Sequence, residues 1–135
     1  MSTEHATLPV PATAVDVHRI LLDPRALPDW NPAFNAVVGP PTPQPGVSYA
    51  IRVRPGLTGT LEYTTITPHL VEITWQVPGF REIGSWTVEQ QGASTVVSHE
   101  FRHSGPLASA LRRNYRGVAA LRLQRLAQRL ETEVP

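Results

Sequence analysis

The sequence has no cysteine and no lysine among its 135 residues, and a single methionine. Without cysteine there is no thiol nucleophile, no zinc knuckle and no redox disulfide. All twelve basic residues are arginine, and the net charge of +1 gives no electrostatic reason to expect nucleic acid or a strongly acidic partner. No apolar run reaches the roughly 18 residues needed to cross a bilayer, so no membrane insertion is expected. The first fifteen residues, MSTEHATLPVPATAV, lack the basic and apolar regions of a secretory signal, and a cytoplasmic location is the expectation. No glycine-rich phosphate loop and no Gly-x-Ser-x-Gly turn occurs, which leaves nucleotide chemistry and serine hydrolysis unsupported.

What is present reads as one domain over residues 1–135, large enough to bury a core without disulfides or metal. The fourteen prolines are spread over short loops, with four of them in the stiff stretch Gly39 to Gly46. A short strand is expected around His5 to Val10. Two short helices follow, Thr13 to Leu22 with Thr13 as cap, and Pro24 to Trp30. From Phe34 the apolar period becomes two. Strands are predicted at Phe34 to Val38, Ser48 to Arg54, Thr58 to Thr67, Leu70 to Val77, Arg81 to Gln90 and Ser94 to His103, separated by turn signals. Consecutive strands joined by short turns make an antiparallel meander.

Gly105 to Glu131 is the only run long enough for a six- to seven-turn helix, roughly 36–40 Å at 1.5 Å per residue. Its apolar residues step by four through Leu107, Leu111, Tyr115, Ala119 and Leu123, and it holds six of the twelve arginines. One face of the meander must be covered, and only this helix is long enough. The expected architecture is therefore α+β: a curved antiparallel sheet wrapped around a long C-terminal helix, with two short helices closing one end and a cavity between sheet and helix. In that arrangement Leu107 to Val118 becomes a lid and Leu121 to Leu130 an anchor. The arginines become snorkelling surface groups.

The segments VHRILLDPR (Val17 to Arg25) and LPDWNP (Leu27 to Pro32), the stretch STVVSHE (Ser94 to Glu100), the Ser104–Gly105 exit and the long terminal helix together resemble the START-like, or SRPBCC, superfamily. That superfamily includes polyketide cyclases and dehydrases, lipid carriers, plant ligand-binding proteins and Hsp90 co-chaperone-like domains. The resemblance implies a helix-grip fold enclosing a hydrophobic or aromatic, polyketide-like small molecule. It also implies cyclisation or dehydration as the enzyme version, and carriage or sensing of a ligand, or a protein-interaction module, as alternatives. No cofactor is implied, and a monomer or homodimer is expected.

Three polar residues are predicted to face inward on the last hairpin. A two-residue turn at Gln91–Gly92 places Glu82 opposite Phe101; a wider loop places it opposite His103, with Trp86 opposite His99. Both registers keep Glu82, His99 and His103 on one face. A carboxylate bonded to an imidazole fixes its tautomer and makes a workable base, so these three are the candidate catalytic residues. The alternative places them at the solvated rim. The same donors suit a metal by atom type but match no ligand spacing, and no metal is assigned. Tyr49, Ile51, Val53, Trp75, Trp86, Phe101, Asn114, Tyr115 and Val118 are the candidate ligand-binding residues, each also readable as core packing. Glu62 faces solvent if Leu61 and Tyr63 face the core, and the interior if Ile66 does; a bulge near Gly59 would reconcile the two patterns.

Overall fold

A computed structural model describes residues 2–133. A nine-residue strand, β1 (Ser2–Val10), leads into α1 (Ala14–Leu21), whose cap is Thr13, with its side chain accepting from the Asp16 N–H. A single 3₁₀ turn (Pro24–Ala26) and α2 (Leu27–Trp30) follow. The meander is β2 (Phe34–Val38), β3 (Ser48–Val53), β4 (Leu57–Ile66), β5 (Leu70–Val77), β6 (Phe80–Gln91) and β7 (Ser94–Ser104), and the last element is α3 (Val118–Glu133). The seven strands form one antiparallel sheet in the order β1-β7-β6-β5-β4-β3-β2. The first strand therefore pairs with the last, along its full length from Ser2↔His103 to Val10↔Thr95.

Period-two alternation sends one set of side chains inward along β3, β5, β6 and β7, while β2, shifted between Phe34 and Ala36, buries Phe34 and Val37. Tyr49, Ile51, Val53, Leu61, Tyr63, Val71, Ile73, Trp75, Trp86 and Val97 are buried there, against Val17, Ile20 and Leu21 of α1, Trp30 of α2 and Leu123, Leu126 and Leu130 of α3. The two apolar patterns of β4 are reconciled by a shift in its pairing with β5 between Tyr63 and Thr65, later than the expected position near Gly59. Leu61 and Tyr63 are buried, Ile66 stays half-buried opposite Val71, and Glu62 points to the outer face.

Gly59 has a different duty. A Cβ built there would lie 1.8 Å from the carbonyl oxygen of Gln76 and 2.9 Å from Val77 Cγ1, so β4 and β5 approach too closely for any side chain. Gly59→Ala is expected to destabilise the fold by about 1–3 kcal/mol, the usual range for overpacking. The check is the midpoint of urea unfolding, which falls with little change in slope.

The long terminal helix starts later than the sequence suggests. Regular α-helix begins at Val118, and residues 105–117 run as successive turns, with i→i−3 bonds such as Asn114 N–H to Leu111 O and Val118 N–H to Tyr115 O. Gly117 sits at φ +80°, a left-handed conformation that ends one turn system and starts another, so the right-handed helix cannot run through it. The first turn of α3 is held from across the chain: the Glu4 carboxylate on β1 accepts from Gly117 N–H (3.1 Å) and Ala119 N–H (2.9 Å). A carboxylate there satisfies orphan donors and complements the positive end of the helix.

Candidate active site

The buried ionisable groups of the inner face are gathered where β6 and β7 meet α3. The hairpin closes through Gly92–Ala93, with Gln91 opposite Ser94, which sets Glu82 opposite His103, Gly84 opposite Phe101 and Trp86 opposite His99. This is the second of the two registers considered from sequence. Glu82, His99 and His103 share one face and are all buried. Gly84 leaves room between them, since a Cβ there would already touch Glu82 Oε2 at 3.4 Å and His99 Cε1 at 3.5 Å.

Arg122 enters this space from the second turn of α3 and is 0% exposed. Its guanidinium grips Glu82 with both terminal nitrogens, Nη1 to Oε2 and Nη2 to Oε1, each at 2.9 Å. Trp75 Nε1–H also donates to Oε2 (2.9 Å), and His103 Nε2 lies 2.8 Å from Oε1. The carboxylate thus has four partners, about its full accepting capacity. Arg122 also lies over the Phe101 ring, 4.9 Å from its centroid. Burial alone would push the Glu82 carboxyl up. The Arg122 charge and the hydrogen bonds from His103 and Arg122 outweigh it and hold the group well below the usual carboxylate range.

The two imidazoles are held differently. Arg122 Nη1–H donates to His99 Nε2 (3.2 Å), which makes His99 Nδ1 the protonated nitrogen, donating to Ser85 O (3.0 Å). Burial and the neighbouring Arg122 charge push His99 down to about 3, so the ring is neutral, stacked on Trp86 at 3.7 Å between centroids. His103 presents Nε2–H to an ionised Glu82, which leaves the Nδ1 lone pair, buried and without a hydrogen-bond partner. Arg122 Nε is likewise buried without a partner. Phe80 and Phe101 flank the His103 ring at 4.6 Å each, and Tyr115 stands edge-on to it at 4.3 Å. Burial, and then the Glu82 charge, push the Tyr115 phenol up to about 12.

The residues expected to line a ligand cavity divide three ways. Tyr49, Ile51, Val53, Trp75, Trp86 and Phe101 are each 4% exposed or less; the first five belong to the apolar core, and Phe101 packs against His99, His103 and Tyr115. Trp75 meets Phe34 and Phe80 at 5.5 and 5.6 Å, and Trp30 meets Trp86 at 5.3 Å. Tyr115 and Val118 are half-buried at the junction of the turn segment and α3. Asn114 does not reach the interior: it is exposed, because residues 105–117 are not the helix that would have aimed it inward. The expected lid is this turn segment, docked through Leu107 N–H to Gly79 O.

Arg122 is the residue that sequence reasoning missed, having assigned all the terminal arginines to the surface. The signal was present: Arg122 lies three residues after Ala119 and four before Leu126, both fully buried on the same helix face. Among the described residues, no group of three or more His, Asp or Glu side chains is arranged to hold a metal ion. No helix among the described residues is long and apolar enough to cross a membrane.

Residues 3–131 match the family described as polyketide cyclase / dehydrase and lipid transport. No curated protein matches the chain. Among solved structures it resembles DynU16, a protein of the dynemicin biosynthetic locus, with TM-score 0.73 and 21% identity over 98% of this chain and 48% of the other. The chain thus spans about half the length of DynU16. It also resembles norcoclaurine synthase from Thalictrum flavum, solved with dopamine and hydroxybenzaldehyde (0.72, 16%, 99% and 88%), and a START superfamily protein from Mycobacterium smegmatis (0.73, 17%, 96% and 97%). At these identities the likeness is one of fold, the helix-grip arrangement of curved sheet and C-terminal helix.

Proposed function

We propose, from the premise that this chain belongs to the polyketide cyclase / dehydrase and lipid transport family, that it binds a hydrophobic or aromatic, polyketide-like molecule between sheet and C-terminal helix and moves protons on it. The observation that carries the reading is the buried Glu82–His103 pair, 2.8 Å apart, with His103 Nδ1 left unpartnered. Glu82 is saturated by four donors, so it acts as the anchor that fixes the tautomer, and His103 Nδ1 is the atom that takes the proton. In a cyclisation, Nδ1 removes a proton from a carbon between two carbonyls. The resulting enolate forms the new C–C bond to a second carbonyl carbon. The imidazolium returns its proton to the new alkoxide, giving a β-hydroxy ketone. In the dehydration Nδ1 takes the second proton of the same carbon, the C–O bond breaks as the C=C bond forms, and that proton joins the departing hydroxide as water. His99, with both ring nitrogens engaged, positions Arg122 and carries no charge at neutral pH. The aromatic rings around His103 would hold a planar intermediate.

The test offers a reactive poly-β-carbonyl chain to the protein and follows ring formation by absorbance and mass spectrometry. Wild type accelerates it, and His103→Gln lowers the rate by about 10²–10⁴-fold, the usual share of a positioned base. Gln keeps a donor toward Glu82 while removing Nδ1, so the variant stays folded by circular dichroism. An unchanged rate in His103→Gln removes the proton-transfer assignment. A second reading, a protein-interaction module acting through its surface, draws support from the tight packing of Trp75, Trp86 and Phe101, each 2% exposed, which fills the space that an enzyme or a carrier of this fold would give to its ligand. Native mass spectrometry separates the readings: a retained small molecule that leaves unchanged indicates a carrier, and no bound molecule under any condition favours the surface module.

A further inference from the structure

The outer face of the sheet, away from the buried cluster, carries a depression of about 280 Å³ between β3 and β6. A meander's solvent face is ordinarily a convex carpet of long side chains. Here the pairing shift between Tyr63 and Thr65 bends β4, and small hydroxyl residues lie where long ones would fill the hollow. Ser48, Glu62 and Thr74 form one row across three strands, because Ser48 pairs with Glu62 and Glu62 with Thr74. Thr60, Gln76 and Arg81 form a second, with Thr60 opposite Gln76 and Gln76 opposite Arg81. All six line the depression.

Two of them are charged and opposite in sign. Glu62 is half-buried, Arg81 is exposed, and neither side chain has an ion-pair or hydrogen-bond partner among the described residues. They stand on β4 and β6 with β5 between, their backbones roughly 10 Å apart across the strands, and no ion pair joins them. The volume lies near the lower end of small-molecule sites, roughly 300 Å³. The lining offers a carboxylate that only accepts, a planar fork that only donates, and hydroxyls and an amide that do both.

We infer that this depression is a second binding site, for a polyhydroxylated carboxylic acid of monosaccharide size. Arg81 takes the carboxylate in a bidentate grip, Glu62 accepts from two neighbouring hydroxyls, and Ser48, Thr60, Thr74 and Gln76 meet the rest. A plain apolar molecule would pair with none of these groups; a carboxylate takes the Arg81 fork at the exposed edge and leaves the half-buried Glu62 to hydroxyls. The depression lies on the opposite face of the sheet from buried His103 and does not depend on the acid–base reading.

The experiment is a titration of the ¹⁵N-labelled full chain with D-glucuronate, D-glucose and D-glucosamine, followed through backbone amide shifts. D-glucuronate is expected to give saturable shifts at Thr60, Glu62, Thr74 and Arg81, with glucose at least tenfold weaker. Arg81→Met weakens glucuronate at least tenfold without moving the thermal midpoint, since its side chain supports nothing else. Absence of saturable shifts at these amides overturns the site. So does glucuronate binding that survives Arg81→Met unchanged, and a preference for glucosamine overturns the assigned ligand class.

Discussion

Glu82→Gln is expected to destabilise the protein by about 3–5 kcal/mol, the loss found when one member of a buried ion pair is removed and the other stays. Arg122 is 0% exposed and its two terminal nitrogens both point at Glu82, so the variant leaves a guanidinium in the core with no counter-ion. The amide also presents its own N–H groups to one of the donors that Glu82 receives from Arg122, Trp75 or His103. The double variant Glu82→Leu with Arg122→Met removes both charges together. It is expected to recover most of the loss, because a packed apolar pair is often as stable as the ion pair it replaces. Unfolding by urea at neutral pH measures all three. A loss below about 1 kcal/mol in Glu82→Gln, the level of an exposed pair, would mean that the cluster is not what anchors α3 to the sheet.

Acid is expected to unfold the wild type early, with His99 as the first cause. In the unfolded chain this imidazole titrates near 6.5, and in the folded protein it is pushed down to about 3 by burial and by Arg122. Between those values the unfolded state binds a proton that the folded state refuses. Stability from this group is therefore complete above pH 6.5 and is lost as the pH falls toward 3, by up to about tenfold in the folding constant per pH unit. Glu82 adds to the same trend below about pH 4.5, because its folded carboxyl stays ionised after the unfolded one is protonated. Urea midpoints at pH 7, 6 and 5 should fall steadily. In His99→Phe the starting stability is lower, since Ser85 O and Arg122 lose a partner, but the slope between pH 6.5 and 5 flattens. Equal slopes in the two proteins would show that His99 takes up its proton in the folded state as readily as in the unfolded one.

Much of the fold follows from period and punctuation. The alternating runs after Phe34 and the turns between them specify the meander, and alternation puts Glu82, His99 and His103 on one face in both hairpin registers considered, because these differ by two residues. Two features lay beyond local pattern. The helix boundary depended on Gly117, whose left-handed φ is one of several conformations a glycine tolerates, and nothing nearby in sequence demands it. Arg122 was hidden by a four-residue stripe through Leu111, Tyr115, Ala119 and Leu123, which implied a continuous helix. Once the helix begins at Val118, the true face is Ala119, Arg122, Leu123, Leu126 and Leu130, and the arginine lies in its middle. The outer depression was equally unreadable, because it arises from a pairing shift between β4 and β5 and from residues on four different strands.

The clamp of Glu4 on the first turn of α3 joins the earliest strand to the latest helix, across 113 and 115 positions of chain. During synthesis the chain emerges in sequence, and β1 must wait for β7 before it has a neighbour, then for Gly117 and Ala119 before its carboxylate has donors. Glu82, made well before Arg122, waits in the same way for its counter-ion. The nascent domain therefore carries an incomplete sheet edge and an uncompensated acid until its last helix arrives. Closure of the grip is then a late, long-range event, of the kind that makes folding slow and dependent on the whole chain.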